Sequence, residues 1–289
     1  MEYIKEIRKL WAGQPGTFPV FLEENPGIFK KVDAAQKKEN EKLIEEISQK
    51  MRKKAQQRPE GEEERTQWEY ELEQELKGVL EKEKILCLSE WMGGELLDAF
   101  ERETKSFIGK VRGFDEALKP EQIWQAMRNY FIYGMIVEMQ GGEQNADDPI
   151  LAYSLLYPYT DNYIDDKKIS REKKAQYNRM IGRKLKGEAV EPGSRLEEKT
   201  CRLLDMILSA YEGEAKNKVV SVLLQLLEAQ SCSIGQMKQD IEEERILEIS
   251  IRKGGSSVLA DYLFATEDWR EQEEKFYLKF GFILQLVDD

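Results

Sequence analysis

Histidine is absent from the 289 residues, which removes histidine triads, imidazole metal sites and imidazole general bases from consideration. Any catalysis must use carboxylates, cations, a metal or the substrate itself. The three cysteines, Cys87, Cys201 and Cys232, are odd in number and show no CxxC spacing, so neither a disulfide framework nor a zinc site is expected. Reduced thiols fit a cytoplasmic protein. No apolar run approaches the ~18 residues of a membrane span, and no basic stretch with an apolar core opens the chain, so an intracellular protein without a transmembrane segment is expected. Positive charge is also in deficit. Lys and Arg number 44 against 56 Asp and Glu, a formal net charge of −12, which argues against nucleic acid or an anionic membrane surface as the partner. Proline is scarce at eight residues and 35% of the chain is charged, a composition that favours helices.

The chain is long enough to bury a substantial core. Residues 1 to about 35 contain Pro15, Gly16, Pro19, Pro26 and Gly27 and read as an irregular arm with a short initial helix, expected to wrap the body. From about 35 to 85, Lys, Glu, Gln and Arg dominate around a break at Pro59-Glu60-Gly61, the pattern of a solvated helical hairpin. Beyond that, Trp91, Met92, Leu96, Leu97 and Phe100, then Trp124, Met127, Phe131, Met135 and Met139, recur at helical spacing and read as two inner helices. Gly141-Gly142 stops the second. Asp148 reads as the N-cap of the next helix with Pro149 at its first position, and Pro158 inside it should kink or loosen it. Ser170 is the expected N-cap of a helix that carries Tyr177, Met180, Ile181 and Leu185 and ends near Gly187. Further helices are expected at about 195–212, 216–250, 256–266 and 271–289. No alternating β-branched run appears, so the chain reads as all-α.

Three motifs carry chemistry. In Asp161-Asn162-Tyr163-Ile164-Asp165-Asp166, Asp161 and Asp165 fall four apart on one helix face, about 6 Å along the axis, as two ligands of a hard divalent cation require. A solvated helix end is the plain alternative. Carboxylates at a helix C-terminus oppose the macrodipole, however, which gives a cation there an electrostatic role. The second motif, Gly281 to Asp289, places Gly281, Gln285 and Asp288 on one face, the glycine permitting close approach and the glutamine offering a donor and an acceptor. The third, Arg252-Lys253-Gly254-Gly255-Ser256-Ser257, reads as a double-glycine helix break. Backbone N–H groups at the following helix start could take phosphate oxygens, with Lys253 as the point charge; an ordinary loop is the plain alternative.

Together, an acidic DxxxD at a helix end, a Lys-Gly-Gly segment and a later GxxxQxxDD resemble the class I isoprenoid synthase superfamily, which includes trans-prenyltransferases, squalene and phytoene synthases and class I terpene synthases. The resemblance covers roughly residues 85 to 289, leaving 1–84 as the N-terminal arm and polar hairpin packed on the body. It implies an isoprenoid-synthase-type helical bundle around a central apolar pocket. By this resemblance Asp161 and Asp165 would hold Mg²⁺ that bridges a substrate diphosphate, and Asp288, Asp289 and Gln285 would form the second, prenyltransferase-type motif. Lys253 resembles the diphosphate-binding lysine, and Gln230 a polar residue on an inner helix facing the pocket. Arg179 and Arg183 could add positive charge, a solvated helix face being the favoured alternative for both. The DxxxD form is closer to squalene and phytoene synthases than to most chain elongators, and the combination most resembles the bacterial tetraprenyl-curcumene synthase group. The family's second motif continues with a further acid and closing helices, so a chain ending at Asp289 is expected to be truncated.

The activity implied is ionisation of an allylic prenyl diphosphate with Mg²⁺, followed by cyclisation or rearrangement of the carbocation. Trp91, Met92, Trp124, Phe131, Tyr157 and Cys232 are core by default, some of them lining the pocket, where aromatic faces steady a cation. The alternatives are chain elongation or head-to-head condensation by a trans-prenyltransferase and, in another class, a catalytically silent helical partner subunit. A homodimer is compatible with each.

Overall fold

The computed structural model describes residues 2–14, 33–57, 59, 61–80, 94–233 and 242–288, together with Val20 and Glu24. The expectations for the proline-rich part of the arm, for Cys87, Trp91 and Met92, and for Asp289 lie outside the described residues. So do those for the side chains of Leu96, Leu97 and Asp288. The described residues carry eleven helices and no strand: α1 (Glu2–Ala12), α2 (Ala34–Gln56), α3 (Glu62–Leu80), α4 (Gly94–Phe114), α5 (Pro120–Met139), α6 (Asp148–Asp165), α7 (Arg171–Leu185), α8 (Arg195–Ser209), α9 (Gly213–Ser233), α10 (Glu243–Ala265) and α11 (Glu271–Asp288). The all-α reading is thus met. No described helix is long and apolar enough to cross a membrane.

The chain divides into two units, residues 15–102 and residues 1–14 with 103–289. In the first, ion pairs join α2 and α3. Lys54 Nζ lies 2.7 Å from Glu75 Oε1 and Lys50 Nζ 3.2 Å from the same oxygen. Asp33 begins α2 with a capping box closed by Gln36, which satisfies amides that the first turn leaves without partners.

The second unit holds the apolar core, with Phe107, Tyr130, Ile136, Leu155, Leu203, Ile207, Tyr262 and Tyr277 all at 1% exposure or less. Helix ends here follow local signals. Ser170 accepts from the Lys173 amide to start α7 and Ser194 from the Glu197 amide to start α8. Past the end of α5, Gly141 turns the chain at φ +69°, a conformation costly for any residue with a Cβ. α6 starts from Asp147, one residue before the expected Asp148, and runs unbroken through Pro158. Asn162 Nδ2 donates to the Pro158 carbonyl at 2.8 Å in this stretch.

Two sequence expectations are corrected. Gly254 and Gly255 do not break a helix; they lie buried inside the continuous α10. A Cβ on Gly254 would come within 2.6 Å of Gln285 Cβ and 2.8 Å of the Gly281 carbonyl carbon, and one on Gly281 within 2.7 Å of the Gly254 carbonyl carbon. The glycines let α10 and α11 cross backbone to backbone, and the helical amides there are not at a helix start that could receive phosphate. On α5, Trp124, Met135 and Met139 are 57%, 49% and 58% exposed, while Ala126, Tyr130, Tyr133 and Val137 form the buried stripe. On the buried face Tyr130 Oη donates to Glu103 at 3.2 Å, and its ring stacks on Phe107.

Candidate functional site

Asp161 sits one turn before the end of α6, partly buried, where it meets α9 and α10. Gln230 Nε2 of α9 donates to Asp161 Oδ1 at 2.6 Å. Burial pushes the Asp161 carboxyl up to about 6; the Lys253 charge opposes this, the Asp165 carboxylate adds to it, and the Thr160 hydroxyl and the Arg128 charge lower it. Four side chains named from the sequence, Asp161, Asp165, Gln230 and Lys253, are therefore brought into one neighbourhood from three helices. Asp165, the last residue of α6, is exposed, whereas Lys253 in mid-α10 is partly buried. A carboxyl so placed is costly to ionise without a cation, and the local cations are Lys253 and Arg128.

Gln285 lies partly buried on α11, its Cβ at the Gly254 crossing. It is thus one residue along α10 from the level of Lys253. Arg179 is exposed on α7 and takes no part in the hydrogen bonds of this site. Its neighbour Arg183 pairs instead with Glu188 at 2.7 Å. Arg252, next to Lys253, is held by Glu248 at 2.8 Å and reaches Glu228 of α9 at 3.8 Å, fixing α10 beside the helix that carries Gln230.

Arg128 was not singled out from the sequence. It is the sole charge between Glu121 and Glu138, a lone cation in an apolar helix, which is the signal that could have found it.

Among the described residues no three carboxylates or thiols gather into a ready-made metal cage. Mg²⁺ is ordinarily held through one or two carboxylates together with substrate phosphates. Asp161 and Asp165, on one helix face and each in the other's field, fit an ion that arrives with a diphosphate. A shallow pocket of about 350 Å³ lies elsewhere on α6, lined among others by Asp115, Tyr159, Asn162 and Asp166. Residues 159, 162 and 166 turn away from the stripe of Asp161 and Tyr157.

No family model, curated protein or solved structure matches the chain.

Proposed function

We propose that this protein is a Mg²⁺-dependent enzyme of the class I isoprenoid synthase type, which ionises an allylic prenyl diphosphate and cyclises or rearranges the carbocation in an apolar pocket. The observation that carries the reading is the grouping of Asp161, Gln230 and Lys253 from three different helices, with Gln230 Nε2 donating to Asp161 Oδ1 at 2.6 Å and the Lys253 charge acting on the same carboxyl. Asp161 and Asp165 would hold the metal; Mg²⁺, when bound with substrate, supplies the positive charge that stabilises diphosphate as a leaving group. Lys253 and Arg128 bind diphosphate oxygens from the side of α10 and α5. Gln230 holds Asp161 in one rotamer, so the carboxylate is aimed before substrate arrives. With no imidazole in the chain, the final proton goes to diphosphate or water.

The test is diphosphate release from C10 to C25 prenyl diphosphates with and without Mg²⁺. A hydrocarbon or alcohol from a single substrate is expected. A longer prenyl diphosphate would replace cyclisation by elongation, and a folded protein that releases no diphosphate from any of them would overturn the enzyme reading. Asp161→Asn should abolish release; unchanged turnover would refute its metal role.

A further inference from the structure

An apolar surface stays open on α11 and at the end of α1. Phe276, Ile283, Leu286 and Val287 of α11 and Leu10 and Trp11 of α1 are each between 38% and 82% exposed. Phe280, partly buried, stacks on Phe276 with ring centroids 6.0 Å apart. The two helices adjoin within one unit. Glu6 pairs with Lys279 at 2.7 Å, and the Trp11 ring meets Phe282 at 5.8 Å between centroids. Leu10 lies one turn past Glu6 and Leu286 one turn past Phe282, so the open side chains of both helices form one patch. The rest of α11 is already committed: Tyr277, Leu278 and Phe282 are buried, and Gly281 makes the crossing with α10.

Phe276, Phe280, Ile283 and Val287 are spaced four, three and four, the seam of a helix that packs along its length on another helix. That spacing reads the same in both directions. An antiparallel copy of α11, turned about a two-fold axis midway between positions 280 and 283, therefore sets Phe276 opposite Val287 of the partner subunit and Phe280 opposite Ile283 of the partner subunit. Each level then packs a ring against a smaller side chain, as interdigitating layers do. Charge does not oppose the contact. The seam itself is uncharged, and the lysines beside it are each held by an acid of the same chain, Lys275 by Glu271 at 2.7 Å and Lys279 by Glu6. Two like faces can meet without like-charge repulsion, although the chain carries a formal net charge of −12.

We propose that this face is the contact surface between two copies of the chain, an antiparallel pair of α11 helices flanked by Leu10 and Trp11. Large side chains of ~150–250 Å² apiece, about half of each open, amount to on the order of 500 Å². Two copies together bury on the order of 1,000 Å² before any rim is counted, the lower limit for a specific interface. An uncharged apolar centre is also the character of contacts between identical subunits. At that size the dissociation constant falls in the micromolar range. The opposite face of α11 carries Gly281 and Gln285, so the pairing braces the crossing beside Lys253 from behind, and the melting midpoint rises with protein concentration.

Sedimentation velocity of the full chain from about 1 to 100 µM tests the contact. The mass should move from monomer toward dimer across that range. Ile283→Glu, checked for folding by circular dichroism, should raise the dissociation constant at least about tenfold, because it places two unpaired carboxylates in the seam. Phe276→Glu should do the same, and either folded variant decides. Met135→Glu, on the exposed side of α5, should leave the dimer unchanged. A chain that stays monomeric at the highest concentration overturns the proposal; if that monomer floats with vesicles of neutral phosphatidylcholine and Ile283→Glu does not, the face belongs to a lipid surface instead. A dimer that persists unchanged in a folded glutamate variant of the seam overturns it as well, since the contact then lies elsewhere.

Discussion

Replacing Gly254 by alanine tests the crossing that places Lys253. An added methyl would meet Gln285 Cβ at 2.6 Å and the Gly281 carbonyl carbon at 2.8 Å, against ordinary carbon contacts of about 3.5–4.0 Å. The helices must therefore separate by roughly an ångström, and the obstruction is backbone, which cannot rotate aside as a side-chain end can. Overpacking of this kind costs about 1–3 kcal/mol, occasionally more. The upper end applies here, because Gly255 beside it leaves little slack, with the Leu278 carbonyl oxygen 3.1 Å from its own Cβ position. At about 3 kcal/mol, and at the ~2–4 °C per kcal/mol of larger domains, the melting midpoint should fall by roughly 6–12 °C. The control is Gly109→Ala on α4, where a Cβ meets nothing within 4 Å; helix propensity alone should make it neutral or up to about 1 kcal/mol stabilising. Melting of both variants by circular dichroism at 222 nm would check the pair. A Gly254→Ala protein that melts with the wild type would refute the backbone-to-backbone crossing.

Asp161→Asn should stabilise the substrate-free protein while removing activity. The carboxyl is raised to about 6 in the fold from about 4 unfolded, so its ionisation opposes folding. The advantage of asparagine, up to about 3 kcal/mol, should be complete above pH 6 and vanish below about pH 4, as denaturant titrations at both pH values would show. Asp115 behaves in the opposite sense: burial would raise it, but Lys199, the Tyr159 hydroxyl and the Ala117 amide outweigh that and hold it low. Asp115→Asn breaks a pair whose side chains are 8% and 18% exposed, so it should lose about 3–5 kcal/mol at pH 7. The gap to wild type should close as pH falls through the depressed carboxyl value of the folded state. Ser170→Ala should cost about 1 kcal/mol by removing the cap of α7, readable in the same titrations.

Local chemistry was the most legible part of this chain. Ser170 as a cap and Gly141 at the end of α5 follow from groups acting on their own neighbours, and the sequence carries that information directly. Asp161 and Lys253 could be named from residue type and spacing, and Gln230 only from the family resemblance, although only the folding of α6, α9 and α10 brings them together. The Gly254-Gly255 pair was misread for a physical reason. Two glycines weaken a helix by about 1 kcal/mol each in isolation, and the compensation comes from Gly281, on another helix, which no local window contains. On α5 two stripes of large residues overlap, and the partner of the buried Tyr130 hydroxyl is Glu103, on α4.

The seat of α1 has a consequence for how the chain assembles. Ile4 and Ile7 are buried against Ile251 and Phe282, Trp11 meets Phe282 edge-on, and Arg8 pairs with Glu244 across 236 residues. Closing a loop of that size costs on the order of 5 kcal/mol of chain entropy. During synthesis at roughly 5–20 residues per second, the isoleucine face of α1 waits on the order of tens of seconds for the helices that cover it. Completion of the fold is thus tied to the arrival of α10 and α11, the two helices whose glycines make the crossing beside Lys253.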